Sequence, residues 1–238
     1  MEQNSYFELL GKIEEEFPTE IGLAIVIAGE NITRNQGQRH TGFVCKGADG
    51  RLWLFHQGWH NRCRHEELSP GYALVVDDFL DEFSATAITS FLANVIQASQ
   101  GNIPYSPNWD HSKTYLEAGS GRYVATSGGD GLTCATFVLE SLKRYGFDLV
   151  NAESWPIREQ DKIWKTQALQ ALERHLTIDD FAIQLEKVAT LPRCRPEEAA
   201  AAASAFRGKP LDYETIAPIS DQILAELHHM GLDSSPSA

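Results

Sequence analysis

The sequence predicts an α+β fold, because strand-like and helix-like segments come in separate runs and do not alternate as a doubly wound sheet requires. Short runs rich in Val and Ile, bounded by glycine, fall between residues 21 and 76, whereas the last third of the chain has only helical patterns. Between them, a glycine-rich loop leads into a helix that starts with a cysteine. With 238 residues, of which 42% are hydrophobic, the chain can bury a sizeable core.

The first half of the chain predicts a helix, an antiparallel sheet and a second helix. The first helix covers Tyr6–Phe17, where apolar residues recur at near-helical spacing before Pro18. The turn residues at 47–50 predict a hairpin. Strands are expected at Ile21–Ala28, His40–Lys46, Arg51–Trp59 and Tyr72–Val76, and the second helix at Ala85–Gln100.

The second half predicts a long loop followed by helices. Residues Gly101–Gly131 include six glycines and two prolines, and a loop of this length is usually functional. The tail Asp233–Ala238 is expected to be disordered. Helices are expected at Cys134–Tyr145, Asp161–Leu176, Ile178–Leu191, Pro196–Phe206 and Ile219–Met230.

Composition argues against several classes of partner and compartment. The formal charge is −13, and no stripe of Lys and Arg is present, so nucleic acid is not expected as a partner. No apolar stretch approaches the roughly 20 residues of a membrane span, and the first residues lack the cationic start of a signal peptide. The four cysteines are far apart without a CxxC pair, which favours reduced thiols. We expect a cytoplasmic protein, with export by a route that needs no cleaved signal left open.

Cys134 is the strongest candidate for a nucleophile. The loop Gly128–Gly131 delivers it to the start of a helix with an apolar periodicity. Unpaired N–H groups at a helix N-terminus stabilise a thiolate and can also hold a developing oxyanion. Cys45 and Cys194 lie in ordinary apolar or loop settings and are expected to be structural.

A cysteine nucleophile needs a base, and His40 at the head of a predicted strand is the first candidate. If the hairpin turn is centred on Ala48, His40 lies opposite His56. If the turn is centred between residues 48 and 49, His40 lies opposite Gln57. Only one of these two side chains can share a face with His40, because side chains alternate along a strand. The loop pair Asp110-His111 is a weaker alternative base.

These residues resemble a known family. A His-x-Gly pattern at the head of a strand, a hairpin with a second polar residue, and a later Cys at a helix start followed by Phe-Val are similar to the circularly permuted NlpC-type papain-like fold, to which lecithin:retinol acyltransferase-like proteins also belong. Thr133 and Ala135 stand where such motifs commonly have acidic or amide residues. The resemblance implies a papain-like catalytic domain at residues 1–152, and residues 153–238 then form a helical C-terminal extension packed on it.

Carried over residue by residue, the resemblance implies that Cys134 is the nucleophile, that His40 is the base, and that His56 or Gln57 orients the imidazole. The implied reaction is acyl transfer through a thioester, without a metal or cofactor. Aromatic side chains are candidates to line the substrate groove, namely Trp53, Trp59, Tyr105 and Trp109.

We therefore expect a cysteine hydrolase that cleaves an amide or isopeptide bond in a peptide or amide substrate. The alternatives are an acyltransferase or thioesterase on the same fold, and a non-catalytic papain-like module that binds a peptide while its C-terminal helices dock a protein partner. A zinc site at His60, Cys63 and His65 is disfavoured, because the cluster lacks a second half and its charged neighbours indicate a solvated loop.

Overall fold

A six-stranded antiparallel sheet lies at the centre of the computed structural model, which describes residues 9–29, 38–125 and 128–233. The strand order is β1-β6-β2-β3-β4-β5. The expected α+β class with an antiparallel sheet is confirmed. The strands are β1 (Leu10–Gly11), β2 (Leu23–Ala28), β3 (His40–Lys46), β4 (Leu52–Gln57), β5 (Cys63–Glu67) and β6 (Tyr72–Val75).

Most of the helices that contact the sheet lie on one of its faces, and helices form most of the chain after residue 134. The helix predicted to start at Cys134 does start there, and Pro218 lies inside the last helix, which begins earlier than predicted. Short 3₁₀ helices are present at residues 152–154 and 173–175. The α-helices are α1 (Ile13–Glu16), α2 (Glu82–Ser99), α3 (Cys134–Lys143), α4 (Glu159–Leu172), α5 (Ile178–Lys187), α6 (Pro196–Ala205) and α7 (Tyr213–His229).

The N-terminal helix was predicted too long, and two strands, β1 and β5, were missed. Leu10 and Gly11 pair with β6, and Glu226 of α7 accepts the N–H groups of Leu9 and Leu10. These bonds hold the segment extended, and the part of the predicted helix before residue 9 lies outside the described residues. The segment expected to be a solvated loop at 63–67 is β5, because its backbone pairs with β4 while its charged side chains stay exposed.

Side chains that alternate along the central strands enter two separate apolar clusters. Ile25 and Phe43 face the larger cluster, which includes side chains of α2, α3, α6 and α7. Val26 and Val44 face a smaller cluster that Ile13 of α1 covers. This alternation is the period of two that a sheet buried on both faces shows.

The last two helices belong to the same core as the sheet. The alanine run Ala199–Ala203 is completely buried, and α6 contacts β2, β3, α3 and α7. Its small side chains allow the helix backbone to approach its neighbours closely. Side chains of α6 and α7 therefore share the apolar core of the sheet, while Leu169 and Leu172 of α4 and Val188 form a separate cluster with Tyr105.

The hairpin turn is centred half a residue later than the nearer of the two centres assumed from the sequence. Cys45 pairs with Trp53, which centres the turn on Asp49. Gly50 adopts φ +79°, and the Asp49 carboxylate accepts the N–H of Arg51 at 3.0 Å. These two residues lengthen the turn, so that position 58 lies opposite His40. Neither of the predicted partners, His56 or Gln57, lies there.

The first residue of the predicted tail is ordered. Asp233 was expected to be disordered, but it is 5% exposed and accepts two hydrogen bonds from the guanidinium of Arg39, at 2.8 and 2.6 Å. A buried ion pair of this kind fixes residue 233 beside the start of β3. The rest of the tail lies outside the described residues. No helix in the described ranges is long and apolar enough to cross a membrane.

We expect Ala201→Leu to lower the free energy of unfolding by at least about 1–3 kcal/mol, because the larger side chain overpacks the completely buried helix α6. Ala182→Leu on the exposed side of α5 is the matched control and should change it by less than about 0.5 kcal/mol. Urea unfolding followed by tryptophan fluorescence measures both. Equal, small effects would show that α6 does not pack as described.

Candidate active site

A cavity of about 750 Å³ opens at the N-terminus of α3. It brings Cys134 together with His40 from the start of β3 and with a wall from the C-terminal third of the chain. Other residues that line this cavity are Gln57, Trp59, Tyr105, Trp164, Arg193 and Cys194.

The start of α3 is fixed by a reciprocal cap. The Thr133 hydroxyl accepts the N–H of Thr136 at 3.2 Å, and the Thr133 N–H donates to the Thr136 hydroxyl at 2.8 Å. This capping box satisfies two backbone donors of the first turn. Cys134, the next residue, is thereby held in the first turn of the helix, as the sequence predicted.

The glycine-rich approach to Cys134 is anchored as well. A Cβ at Gly131 would lie 2.5 Å from the carbonyl oxygen of Pro104, so only glycine fits there. The buried carboxylate of Asp130 binds Lys113 at 2.6 Å and Lys187 at 3.0 Å. The loop is therefore tied both to the preceding loop and to α5.

The Cys134 thiol is 6% exposed. Burial raises its pKa, while the backbone N–H groups of Thr41, Ala135 and Cys134 and the charge of Arg193 act in the opposite direction. Burial alone raises the pKa of the Cys63 thiol to about 12. Cys134 is thus a protonated thiol at neutral pH whose surroundings are already arranged to accept negative charge.

His40 and His56 form the next part of the site. His40 Nε2 lies 2.6 Å from His56 Nδ1, and Tyr72 packs edge-on against the His40 ring at 6.4 Å. Burial, followed by the charge of Arg64, lowers the pKa of His56 to about 4. Burial, His56 and Arg64 lower that of His40 to about 3. Both rings are therefore neutral near pH 7.

Glu66 on β5 lies beside the histidine pair and favours one set of tautomers. Its Oε1 lies 3.1 Å from His56 Nε2, although the angle does not make a hydrogen bond. A carboxylate at this distance favours a proton on His56 Nε2, which leaves His56 Nδ1 as the acceptor. His40 Nε2 then donates, and His40 Nδ1 carries the lone pair of a base.

His40 and Cys134 line one cavity, but no hydrogen bond joins them in the described part of the chain. The backbone N–H of Thr41, one residue after His40, acts to lower the pKa of the Cys134 thiol. In the absence of substrate, contacts between a catalytic base and its partner are often long and tighten only in the complex. His40 Nδ1 is the ring nitrogen left to make this contact.

The structure separates His56 from Gln57. Gln57 lies on the opposite face of β4 from His40, and its amide NH₂ donates to the carbonyl oxygens of Trp59 and Ile103, both at 2.8 Å. Gln57 therefore does not orient the imidazole, although it lines the cavity. It holds the loop that carries Trp59, and His56 is the residue that contacts the His40 ring.

Two of the four aromatic candidates line the cavity. Trp59 and Tyr105 pack against each other there, with ring centroids 4.8 Å apart. Trp53 lies outside it, against His65 at 5.6 Å, because its position on β4 directs it toward the far end of the hairpin. Trp109 also lies outside, in contact with Trp155 at 5.5 Å, and so has a packing role.

Sequence reasoning missed the wall built by Trp164, Arg193 and Cys194. These residues are some 30 to 60 positions after Cys134 in the chain, and no local pattern connects them to it. The segment 193–196, in which two arginines flank a cysteine before a proline, was the available signal.

The other candidate sites do not assemble. His60 stacks on His175 and His65 on Phe55, while Cys63 is buried in the core. Among the described residues, no group of three or more His, Cys, Asp or Glu side chains could hold a metal ion. His111 packs on Trp109 outside the main cavity, so it does not replace His40.

The fold and the site together define an α+β protein in which a cysteine and a histidine line a common cavity, with a second histidine hydrogen-bonded to the first. No family model, curated protein or solved structure matches the chain. The functional argument therefore rests on the chemistry of the cavity.

We expect the free energy of unfolding to fall as the pH falls below about 6.5, because unfolding lets the two buried histidines bind protons that the folded state excludes. His56→Gln removes one of these two proton-binding groups. It should therefore reduce the slope of the free energy of unfolding against pH, between pH 5.5 and 4.5, by about 1.4 kcal/mol per pH unit.

Urea unfolding at several pH values measures this slope. His229→Gln, at an exposed position of α7, is the control and should leave it unchanged. An identical slope in His56→Gln and the wild-type protein would mean that His56 is not held neutral.

Proposed function

We propose that the protein is a cysteine hydrolase of the circularly permuted NlpC-type papain-like class, and that it cleaves an amide or isopeptide bond through a thioester. One observation carries the proposal. The capped start of α3 presents Cys134 to the same cavity as His40, whose ring is bonded to His56 at 2.6 Å.

The topology supports this class. The cysteine helix α3 packs on β3, with Phe137 against Phe43 at 6.4 Å between ring centroids. His40 begins β3, and its partner His56 lies on the adjacent strand β4. The order of histidine before cysteine agrees with the resemblance noted in the sequence.

The first half of the reaction uses the neutral pair. His40 Nδ1 takes the proton of the Cys134 thiol as the sulfur attacks the carbonyl carbon. The charge on the carbonyl oxygen is stabilised by the backbone N–H groups near the sulfur. The C–N bond then breaks, the leaving amine takes the proton from His40, and an acyl thioester remains on Cys134.

The second half restores the enzyme. A water molecule gives a proton to His40 Nδ1 while its oxygen attacks the thioester carbonyl. The C–S bond breaks, the thiolate recovers the proton, and a carboxylic acid leaves. Glu66 beside His56 favours the charged imidazole that exists transiently in both halves.

An acyltransferase or thioesterase is the second candidate function, favoured by the aromatic side chains of Trp59 and Tyr105 on the cavity wall. An acyltransferase would pass the same thioester to an acceptor other than water. A hydrolase and an acyltransferase can be distinguished by loading Cys134 with an acetyl group from p-nitrophenyl acetate. The loss of this group is then followed by intact mass. Loss in buffer supports hydrolysis, whereas loss only with added amine or alcohol supports transfer.

Docking of a protein partner through the C-terminal helices stays a proposal, and burial limits which of these helices a partner can contact. Helix α6 is buried. Large apolar side chains are exposed on α4 and α5, namely Ile163 (63%), Ile178 (88%) and Leu185 (46%). A partner would therefore contact α4 and α5.

We expect iodoacetamide at pH 7.5 to alkylate Cys134 faster than Cys194, which lines the same cavity without the N–H groups around its sulfur. His40→Gln should slow labelling of Cys134 by at least about tenfold, because the thiol loses its base. Peptide mapping by mass spectrometry gives the rate at each cysteine.

His111→Gln, outside the cavity, is the control and should leave the rate at Cys134 unchanged. Labelling of Cys134 no faster than that of Cys194, or no slower in His40→Gln, would overturn the catalytic proposal and leave a binding module.

We also expect Glu66→Gln to slow this labelling about three- to tenfold, because the carboxylate no longer favours the base tautomer of His40. Glu67→Gln is the matched control. Glu67 pairs with Trp53 on the opposite face of the sheet from Leu54 and Glu66. Measured rates that fall equally in both variants would assign the effect to surface charge.

A further inference from the structure

Arg193 lies in the segment between α5 and α6 and lines the cavity that holds Cys134. It is only 8% exposed. Burying a guanidinium costs free energy unless anions or hydrogen-bond acceptors surround it. The partners of Arg193 therefore indicate whether its charge serves the fold or a ligand.

The guanidinium of Arg193 is positioned mainly by stacking. It lies 3.4 Å from the ring centroid of Trp164, and its Nη1 donates to Asp161 Oδ1 over 3.4 Å. In the described part of the chain, its Nε and Nη2 donors have no hydrogen-bond acceptor. The stacked, half-paired group presents unused donors in a fixed plane, which is the geometry that binds a carboxylate through two bonds.

The neighbouring anions are occupied by other cations. Asp161 binds Arg195 at 3.0 Å and also Arg158, and Glu198 binds Arg158 and accepts the Trp155 indole N–H at 3.1 Å. These cations largely neutralise the charges of Asp161 and Glu198, so little of that charge is left to pair with Arg193. Glu197, also close to Arg193, lies beyond ion-pair distance.

A buried lysine next to this wall shows the same shortage of free carboxylate partners. Lys165 donates to the carbonyl oxygen of Leu191 at 2.6 Å and has no carboxylate partner within ion-pair distance among the described residues. Burial lowers its pKa to about 8, and the charges of Arg193, Lys162 and Arg158 contribute to this against the attraction of Asp161. The protein as a whole is strongly acidic, so a cationic wall at this cavity is a local feature.

We propose that Arg193 binds a carboxylate group of the substrate, so that the bond broken at Cys134 belongs to an acidic peptide or amide with a carboxylate close to the scissile carbonyl. This inference rests on the proposed function and specifies its substrate class. Trp164 fixes the plane of the guanidinium, and Trp59 and Tyr105 are left to contact the apolar part of the substrate.

The test uses pairs of alkylating probes that differ only in charge. One pair is iodoacetate and iodoacetamide, and the second is N-chloroacetylglycine and its amide, which places the carboxylate further from the reacting carbon. In each case the sulfur displaces the halide. We expect the acid-to-amide rate ratio at Cys134 to exceed that of glutathione by at least about tenfold for one pair.

Arg193→Gln should abolish this preference, and Arg193→Lys should retain part of it, because the charge stays while the planar fork is lost. Arg195→Gln, which also removes a partner of Asp161 but does not line the cavity, is the matched control and should change the ratio less than about twofold. Circular dichroism shows whether each variant is folded, and the wild-type ratio tests the proposal even if Arg193→Gln is not.

The two proposals fail separately. A wild-type ratio equal to that of glutathione, or one unchanged in a folded Arg193→Gln variant, would overturn carboxylate recognition while His40-dependent labelling still supported the hydrolase. A ratio that depends on Arg193 together with labelling that does not depend on His40 would keep the anion site and overturn the reaction.

Discussion

The pairing register of β3 and β4 is the constraint on which the candidate site depends. The turn around Asp49 and Gly50 sets this register, and the period of two along each strand then sorts every polar residue of the hairpin. His40, His56 and, across the next pair of strands, Glu66 share one face. Gln57 falls on the other face and becomes a support for the loop that carries Trp59. A slip of one residue would exchange these roles.

The second determinant is the completely buried helix α6, which joins the C-terminal third to the sheet. Because its alanines allow close packing against β2, β3 and α3, the segment just before it is brought to the mouth of the cysteine cavity. Arg193 and Cys194 lie in that segment. This segment and the C-terminal helices therefore complete the cavity as well as the core, and the proposed chemistry at Cys134 depends on residues far from it in the sequence.

Electrostatics at the site favour a neutral resting state. Burial raises the pKa of the Cys134 thiol and lowers those of His40 and His56, so a preformed thiolate and imidazolium pair is disfavoured. In the proposed reaction, proton transfer is instead coupled to attack on a bound carbonyl, where the N–H groups near the sulfur become most effective. An anionic substrate held by Arg193 would add selectivity without changing this order of events.

The sequence alone determined the class of fold, the start of the cysteine helix and the identity of Cys134 and His40 as candidates, because these follow from local signals: strand and helix periodicity, a glycine-rich approach to the cysteine and a histidine at the head of a strand. It left His56 and Gln57 unresolved, since a single residue of turn geometry exchanges them. It misplaced Trp53 and Trp109 and gave no reason to choose Arg193, because cavity walls are made by contacts between distant segments. Only the tertiary structure decided where these residues lie: strand register separated His56 from Gln57, and the packing of α6 brought Arg193 to the cavity.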